Sequence, residues 1–399
     1  YLSSLNKTSN LYIIIMFSLK KIKSFLYFTL LVLFAIIVVV ILFINISPQF
    51  GSNPSSKQIH KYETFSNYNE DGFQNLEETP MFTEDVSAWD YFKDEMVSPS
   101  KTNKESDVKP IRDIIPNEID YSLFNKLNPF DYKISWLGHS AFILNINGKI
   151  ILLDPMLGTH ASPVPIPSLK RFNETLPLNP DSLINVDVVV LSHDHYDHLD
   201  YSTIKRIKAN VSTFLVPYGL GNHLRRWGVE DNKIVELNWN EVFRIDEIEF
   251  TSLPARHFSG RGPLNRNSTL WSSWAIKSEA VKIYFSGDSG YGKHFKQIGL
   301  EHGPFDISLI DCGQYNKAWK HSHMFPSEAV LAAKELNSKH FMPIHWGGFK
   351  LAMHSWDEPV IESIKLAKRI GLKYLTPKIG EIISKEKLDK KFNLWWEEY

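Results

Sequence analysis

Apolar positions along the chain fall into short runs that predict a β-rich domain. Residues 134–137, 141–146 and 149–153 read as strands, and Asn147-Gly148 between the last two is typical of a tight hairpin turn. The run 188–191 has no polar alternation, as expected of a strand buried on both faces. Further strands are predicted at 214–216, 234–237, 242–245, 248–253, 274–276, 281–285, 307–310 and 340–344.

Helical patterns lie between and after these strands. They are predicted after 200, at 220–227, at 326–336 and at 359–370. Two meandering β halves, each followed by helices, predict an α/β (α+β) domain built as a four-layer αββα sandwich. We expect this domain to span 118–399.

The longest apolar run lies near the start, at 25–46, and has no charge over about 22 positions. That length suffices to cross about 30 Å of hydrocarbon. Three lysines at 20–23 precede it, which predicts a cytoplasmic segment 1–24 and a catalytic domain on the opposite side of the membrane. We predict a single-pass signal anchor in preference to a cleaved signal peptide, because the residues after 45 make a poor cleavage site.

Composition narrows the class of protein. The chain has 399 residues, 43% of them hydrophobic and 22% charged, which is typical of a globular protein. A net charge of −1 does not favour a nucleic-acid partner, and the single cysteine, Cys312, excludes an internal disulfide or a cysteine-rich zinc site. Residues 47–117 are polar and predict a tether that is partly packed on the domain. Since the chain starts with Tyr1, Met16 is a candidate start.

A cluster of metal-ligand residue types directly follows the buried strand at 188–191. His193, His195, Asp197 and His198 form the pattern H-x-H-x-D-H. Three imidazoles and one carboxylate within six residues are ligands that suit zinc or a similar divalent ion. The end of a core strand can hold them rigidly over a cleft.

Distant residues extend this cluster. His257, Asp288 and His345 each follow a predicted strand, and together with the motif they make seven ligands for two ions, leaving a position for water. His323 precedes the helix predicted at 326–336. It either acts beside the metal ligands or caps that helix.

Other polar residues near the motif are candidates for supporting roles. Asp154, His139, Asp194 and Asp200 could orient the ligands, with ordinary turn, cap or structural contacts as the alternative. A contact with phosphate, or else a solvated surface position, is expected for Lys170, Arg171, Arg256 and Arg261.

This ligand pattern resembles that of the metallo-β-lactamase superfamily. Within it, the segments 136–140, 192–201, 257–261 and 287–291 are similar to N-acylphosphatidylethanolamine phospholipase D and its bacterial relatives. The resemblance implies two zinc ions, with iron or manganese as alternatives. One ion would be held by His193, His195 and His257, the other by Asp197, His198 and His345, with Asp288 bridging.

The implied reaction is phospholipase D-type hydrolysis of N-acylphosphatidylethanolamine-like lipids by a metal-bridging hydroxide, with Asp288 and His323 as catalytic residues. By the same resemblance, His323 would hydrogen-bond the phosphate or protonate the leaving group. The same site would also serve a hydrolase of another phosphodiester, a lactone or a thioester. A non-catalytic metal-binding scaffold is a third alternative. Phospholipid and the membrane are the expected partners, nucleic acid is not, and a homodimer is one option for the oligomeric state.

Overall fold

A computed structural model describes residues 2–83, 89, 108–127 and 131–399, with side chains from residue 19 onward. The chain divides into two compact units, and the second spans Gly51–Tyr399.

The first unit is almost entirely one helix, α1, Leu2–Ile46. Its part Leu19–Ile46 has 28 residues and contains an 18-residue window with a mean hydropathy of 3.2, none of which is buried. This helix is long and apolar enough to cross a membrane, although a signal sequence has the same properties. The predicted apolar helix is therefore confirmed, whereas membrane insertion and its orientation stay predictions.

The second unit contains the remaining helices and all the strands of the described chain. The helices are α2 Ser56–Tyr62, α3 Tyr121–Phe124, α4 Tyr201–Ile207, α5 Gly221–Arg226, α6 His294–His302, α7 Pro326–Glu335 and α8 Glu358–Ile370. The strands are β1 Tyr68–Asn69, β2 Gly72–Phe73, β3 Tyr132–Gly138, β4 Ala141–Ile146, β5 Lys149–Leu153, β6 Val186–Val190, β7 Val211–Pro217, β8 Ile234–Leu237, β9 Val242–Ile245, β10 Ile248–Leu253, β11 Ser273–Lys277, β12 Lys282–Phe285, β13 Ile307–Asp311, β14 His340–Ile344, β15 Lys373–Tyr374 and β16 Ile382–Ser384.

Two seven-stranded sheets form the centre of this unit. One has the strand order β16-β3-β4-β5-β6-β7-β8 and the other β15-β14-β13-β12-β11-β10-β9. In the first sheet β5 to β8 run parallel, and in the second β12 to β15 do so. The other strands of each sheet pair antiparallel.

Side-chain alternation places one face of each sheet against the other sheet. In β4, Phe142, Leu144 and Ile146 belong to the apolar core that both sheets share, whereas Ala141 and Ile143 face the cluster that includes α4 and α5. The outer face of the second sheet packs on α6 and α7. A strand repeats every two residues, so this alternation fills two cores at once. The predicted four-layer αββα sandwich is confirmed.

Part of the predicted tether has a structure of its own. Helix α2 and the β1–β2 hairpin lie within it, and Tyr62 and Phe73 are buried in one cluster with Trp239 and Trp271 of the sandwich. The described residues 51–83 therefore pack on the domain. Helix α6 is also an element that the apolar pattern did not predict.

The parallel strands bring chemically active residues to one edge of the sandwich. Asp154 follows β5, the histidine motif follows β6, Asp288 follows β12, Asp311 ends β13 and His345 follows β14. Ligand sites of sheets with parallel strands lie at the carboxyl ends of those strands. The topology thus gathers residues that are far apart in sequence.

Candidate metal centre

Four side chains from three strand ends form a first donor group. Nε2 of His193 lies 2.9 Å from Nδ1 of His195, and Nε2 of His257 lies 3.2 Å from the same His195 atom. Oδ2 of Asp288 is 3.7 Å from Nε2 of His193 and 3.8 Å from Nε2 of His257. Their ligand atoms all lie within 4.8 Å of one another.

A second donor group adjoins the first. Oδ2 of Asp197 lies 3.3 Å from Nε2 of His198, 3.1 Å from Nε2 of His345 and 2.8 Å from Nε2 of His139. Asp288 reaches this group too, because its Oδ1 is 3.1 Å from Nε2 of His198 and its Oδ2 is 3.3 Å from Nε2 of His345. The structure therefore brings all seven predicted ligands together, adds His139 beside them, and places Asp288 in contact with both groups.

Two buried atoms where the groups meet have no hydrogen-bond partner among the described residues. They are Nε2 of His198 and Oδ1 of Asp288, which lie 3.1 Å apart without the geometry of a hydrogen bond. Buried polar atoms nearly always have a partner, and a cation between this nitrogen and this oxygen would satisfy both. Imidazole nitrogens and carboxylate oxygens are common ligands of zinc and related divalent ions. The residues present thus fit a metal centre.

The ionisation of the first donor group suits metal binding. Burial lowers the pKa of His193 and of His257 well below the usual range, so both imidazoles are neutral. Burial alone would raise the pKa of Asp288, but the imidazoles of His198 and His345 outweigh it and hold that pKa well below its usual range. Burial alone would likewise lower the pKa of His198 and of His345, but Asp288 raises both, that of His345 to about 10, so these two rings are protonated without an ion. Neutral imidazole and ionised carboxylate are the forms that bind metal, so an ion at the second group would displace these protons.

Asp154 orients residues on the side of the motif away from the donor atoms. Its Oδ2 lies 2.7 Å from Nδ1 of His198 and also accepts the hydroxyl hydrogen of Ser192. The Ser192 hydroxyl lies 2.9 Å from Nδ1 of His193. An oxygen bound to one imidazole nitrogen fixes the proton there and leaves the other nitrogen free for a metal. Asp154 and Ser192 therefore set which nitrogens point into the centre.

Asp311 is a site residue that the sequence analysis did not single out. It is fully buried at the end of β13, with Oδ1 3.2 Å from Nδ1 of His345 and Oδ2 3.0 Å from Nδ1 of His323. One carboxylate thus orients both rings. Its position at a strand end, between the strands that precede Asp288 and His345, is the signal that could have identified it.

His323 is not a helix cap. Helix α7 begins after Phe325, whose N–H donates to Glu328 Oε2 at 3.0 Å, so that alternative is wrong. The His323 ring instead stacks on the ring of His345, with centroids 5.0 Å apart and planes inclined by 13°. Because Asp311 takes up Nδ1, Nε2 is the nitrogen left for a partner in the cavity.

Two predicted ligand-supporting residues have structural contacts instead. Asp194 is 3.1 Å from Nε2 of His223 and accepts the Gly260 N–H at 2.7 Å. Asp200 caps α4, where its Oδ2 accepts the N–H of Thr203 at 2.8 Å. Both residues therefore make the ordinary turn, cap or structural contacts that were the alternative to orienting a ligand.

Two of the four candidate phosphate-binding cations are buried. Arg171 is 5% exposed and donates from Nε to the Gly158 carbonyl at 3.1 Å. Arg261 is 2% exposed and donates from Nη1 to the Leu199 carbonyl at 2.9 Å. Neither side chain lies at the surface, because each guanidinium group donates to a backbone carbonyl of a loop and fixes that loop. Lys170, in contrast, is half exposed.

A cavity of about 270 Å³ opens over the donor groups. Its polar lining residues are His195, Asp197, Gln314, Ser322, Asp288, His323 and His345. Its apolar lining residues are Met81, Phe82, Phe258, Trp319 and Leu351, and the Phe258 ring lies 4.7 Å from the His195 ring, centroid to centroid. The cavity thus presents metal-ligand side chains and hydrophobic side chains together.

Comparisons with known proteins agree with this arrangement. The family described as "Beta-lactamase superfamily domain" matches residues 149–346. An uncharacterized protein of Mycobacterium tuberculosis is 38% identical over 338 residues, which cover 84% of this chain and 88% of that protein. N-acyl-phosphatidylethanolamine-hydrolyzing phospholipase D 1 of Caenorhabditis elegans is 36% identical over 230 residues, covering 54% of this chain and 64% of that enzyme.

A solved structure shows the same fold. The isothiocyanate hydrolase from Delia radicum gut bacteria aligns with a TM-score of 0.50 at 20% sequence identity, over 63% of this chain and 98% of that one. With a sandwich of this topology, a cluster of histidines and aspartates at its edge and relatives that cover most of its length, the chain belongs to the beta-lactamase superfamily of metal-dependent hydrolases.

Proposed function

We propose that this protein is a zinc-dependent phosphodiesterase of the phospholipase D type, acting on N-acylphosphatidylethanolamine-like lipids. The observation that carries the proposal is the mixed lining of the cavity. Its metal-ligand side chains suit a phosphodiester, and its apolar side chains, which include Phe82 and Phe258, suit a hydrocarbon chain. The name of the Caenorhabditis elegans relative supports this substrate class.

The donor groups suggest two zinc positions. Zinc ions bound there would supply an activated water and neutralise charge on the phosphate oxygens. Asp288 would serve both positions, since it contacts both groups. The remaining ligands would be His193, His195 and His257 for one ion and Asp197, His198 and His345 for the other.

His323 is our candidate for the general acid. In the proposed reaction, water oxygen bonds to phosphorus while the P–O bond to the N-acylethanolamine breaks, and the leaving oxygen takes up a proton. That proton would come from Nε2 of His323, whose ring Asp311 orients through Nδ1 at 3.0 Å. The products are phosphatidic acid and N-acylethanolamine.

The membrane is part of this proposal. A span at Leu19–Ile46 would hold the catalytic unit near its lipid substrate and raise the effective substrate concentration. The three lysines at 20–23 favour a cytoplasmic amino terminus, which puts the catalytic unit on the other side.

Mass spectrometry of the products tests the function. The full chain is incubated in H₂¹⁸O with N-acylphosphatidylethanolamine, phosphatidylethanolamine, phosphatidylcholine, a lactone and a thioester, with and without chelator. We expect equal amounts of N-acylethanolamine and ¹⁸O-labelled phosphatidic acid, lost with chelator and restored by zinc. Label in the N-acylethanolamine would contradict attack at phosphorus. Turnover of only the lactone or thioester would replace the proposed substrate class.

A further inference from the structure

A segment outside the region that matches the family contacts a metal-centre residue directly. We call residues 74–83, which follow β2, the strap. Its Asn75 places its carboxamide on the backbone of His257: Nδ2 donates to the His257 carbonyl at 2.7 Å, and Oδ1 accepts the His257 N–H at 3.1 Å. Trp271 Nε1 donates to the same Oδ1 at 3.0 Å. Only one orientation of the amide satisfies all three contacts.

We propose that Asn75 is a positioning residue for His257 in the metal centre. Both backbone polar groups of His257 hydrogen-bond to Asn75, and its ring is held separately, with Nδ1 3.0 Å from the Ser322 carbonyl oxygen. His257 follows β10 in a loop, so neighbouring strands do not fix its backbone. The side-chain amide of Asn75 makes the two backbone hydrogen bonds that a neighbouring strand would otherwise make. It thereby keeps Nε2 of His257 within 3.2 Å of Nδ1 of His195.

The strap is also held on either side of its cavity-lining part. Arg256 donates from Nε to the Thr79 hydroxyl at 3.1 Å and from Nη2 to the Glu78 carbonyl. The Thr83 N–H donates to the Ala318 carbonyl at 2.8 Å. Residues 81 and 82 between these contacts line the cavity. The strap is therefore a fixed wall of the site, and its hold on the metal centre does not depend on which substrate is bound.

Variants of two asparagines, Asn75 and Asn67 as its control, test the proposal on the full chain. Asn75→Ala and Asn75→Leu remove the contacts with His257, and Leu keeps a similar side-chain volume. The control is Asn67→Ala, because the amides of Asn67 and Asn238 also exchange two hydrogen bonds, at 2.9 and 3.2 Å, away from the donor groups. Zinc affinity is measured by competition with a chromogenic chelator, and folding by circular dichroism.

We expect the Asn75 variants to lose about 10–100-fold in zinc affinity, the usual effect of removing a contact that orients a ligand. Asn67→Ala should stay within twofold of the unmodified chain. Equal zinc affinity in the Asn75 and Asn67 variants, whether unchanged or weakened alike, would overturn the proposal. If Asn75→Ala does not fold, Asn75→Leu decides by the same comparison. Because zinc binding is read without substrate, the result is independent of the proposed phosphodiesterase activity.

Discussion

Replacing Asp311 by asparagine should damage the metal centre while leaving its shape intact. The carboxylate accepts from Nδ1 of His345 and of His323 at 3.2 and 3.0 Å, and both oxygens are buried. An amide has one acceptor oxygen and one donor nitrogen. It can therefore keep one of the two contacts and must present N–H groups to the other ring. That ring then carries its proton on Nε2, which is the wrong form for a ligand.

The size of the effect follows from the bond that is lost. A hydrogen bond to a charged group contributes about 1.5–3 kcal/mol. At about 1.4 kcal/mol per tenfold, this corresponds to a factor of roughly 10–140. Changes of residues that orient metal ligands typically cost about 10–100-fold in affinity or activity. If His345 is the ring that loses its contact and moves its proton to Nε2, Asp311→Asn should lower zinc affinity by one to two orders of magnitude. If His323 is that ring, turnover should fall by a similar factor.

Zinc competition and hydrolysis rates measure both outcomes. Asp306→Asn is the matched control, because Asp306 precedes the same strand, β13, at its opposite end. There it accepts the Lys282 N–H at 2.8 Å and pairs with Lys339 at 2.7 Å. If Asp311→Asn matched Asp306→Asn within twofold in both zinc affinity and turnover, the reasoning about the shared carboxylate would be refuted.

Three further predictions concern other parts of the protein. His323→Ala should lower turnover by about 10²–10⁴ with zinc affinity unchanged, and His321→Ala should alter neither; a normal rate for His323→Ala would remove it as general acid. Burial lowers the pKa of His294 to about 3, below the unfolded value near 6.5, so only the unfolded chain gains that proton and stability falls as pH drops through this window. Between pH 7 and 5 this proton contributes a loss of about 2 kcal/mol, so denaturant titrations should show the parent losing about 2 kcal/mol more than His294→Gln; equal losses would contradict the assignment. Chelation should abolish hydrolysis and lower the thermal midpoint, with both restored by zinc, and a midpoint that chelator leaves unchanged would argue against metal binding in the folded state.

The features that could be predicted from the sequence are those formed by adjacent residues or by residues just after a strand. The motif from His193 to His198 follows an uninterrupted apolar run, so its strand, its turn and its ligand types could all be predicted from a few adjacent residues. His257, Asp288 and His345 were found because each follows a recognisable strand. The strands before Asp288 and His345 belong to the parallel run β12 to β15, which brings such strand ends together.

The features that could not be predicted from the sequence depend on contacts between segments far apart in the chain. Nothing near Asn75 indicates that it lies against His257, 182 residues later. Gly287 is similar: its φ of 56° and a Cβ that would lie 2.5 Å from Ser192 Cβ show why no side chain fits there, but only the packed strands reveal it. Polar composition predicted only that residues 47–117 are partly packed on the domain. It did not show that side chains of the strap hydrogen-bond to residues beside the metal centre.

The wide spacing of the donor residues bears on when the protein can acquire its metal. A chain leaving the ribosome exposes the motif at His193 long before His345 exists, and the two are 152 positions apart (345 − 193). Until the second sheet has assembled on the first, a captured ion has only a few neighbouring imidazoles and exchanges readily. Tight and selective loading is therefore an event of the finished chain.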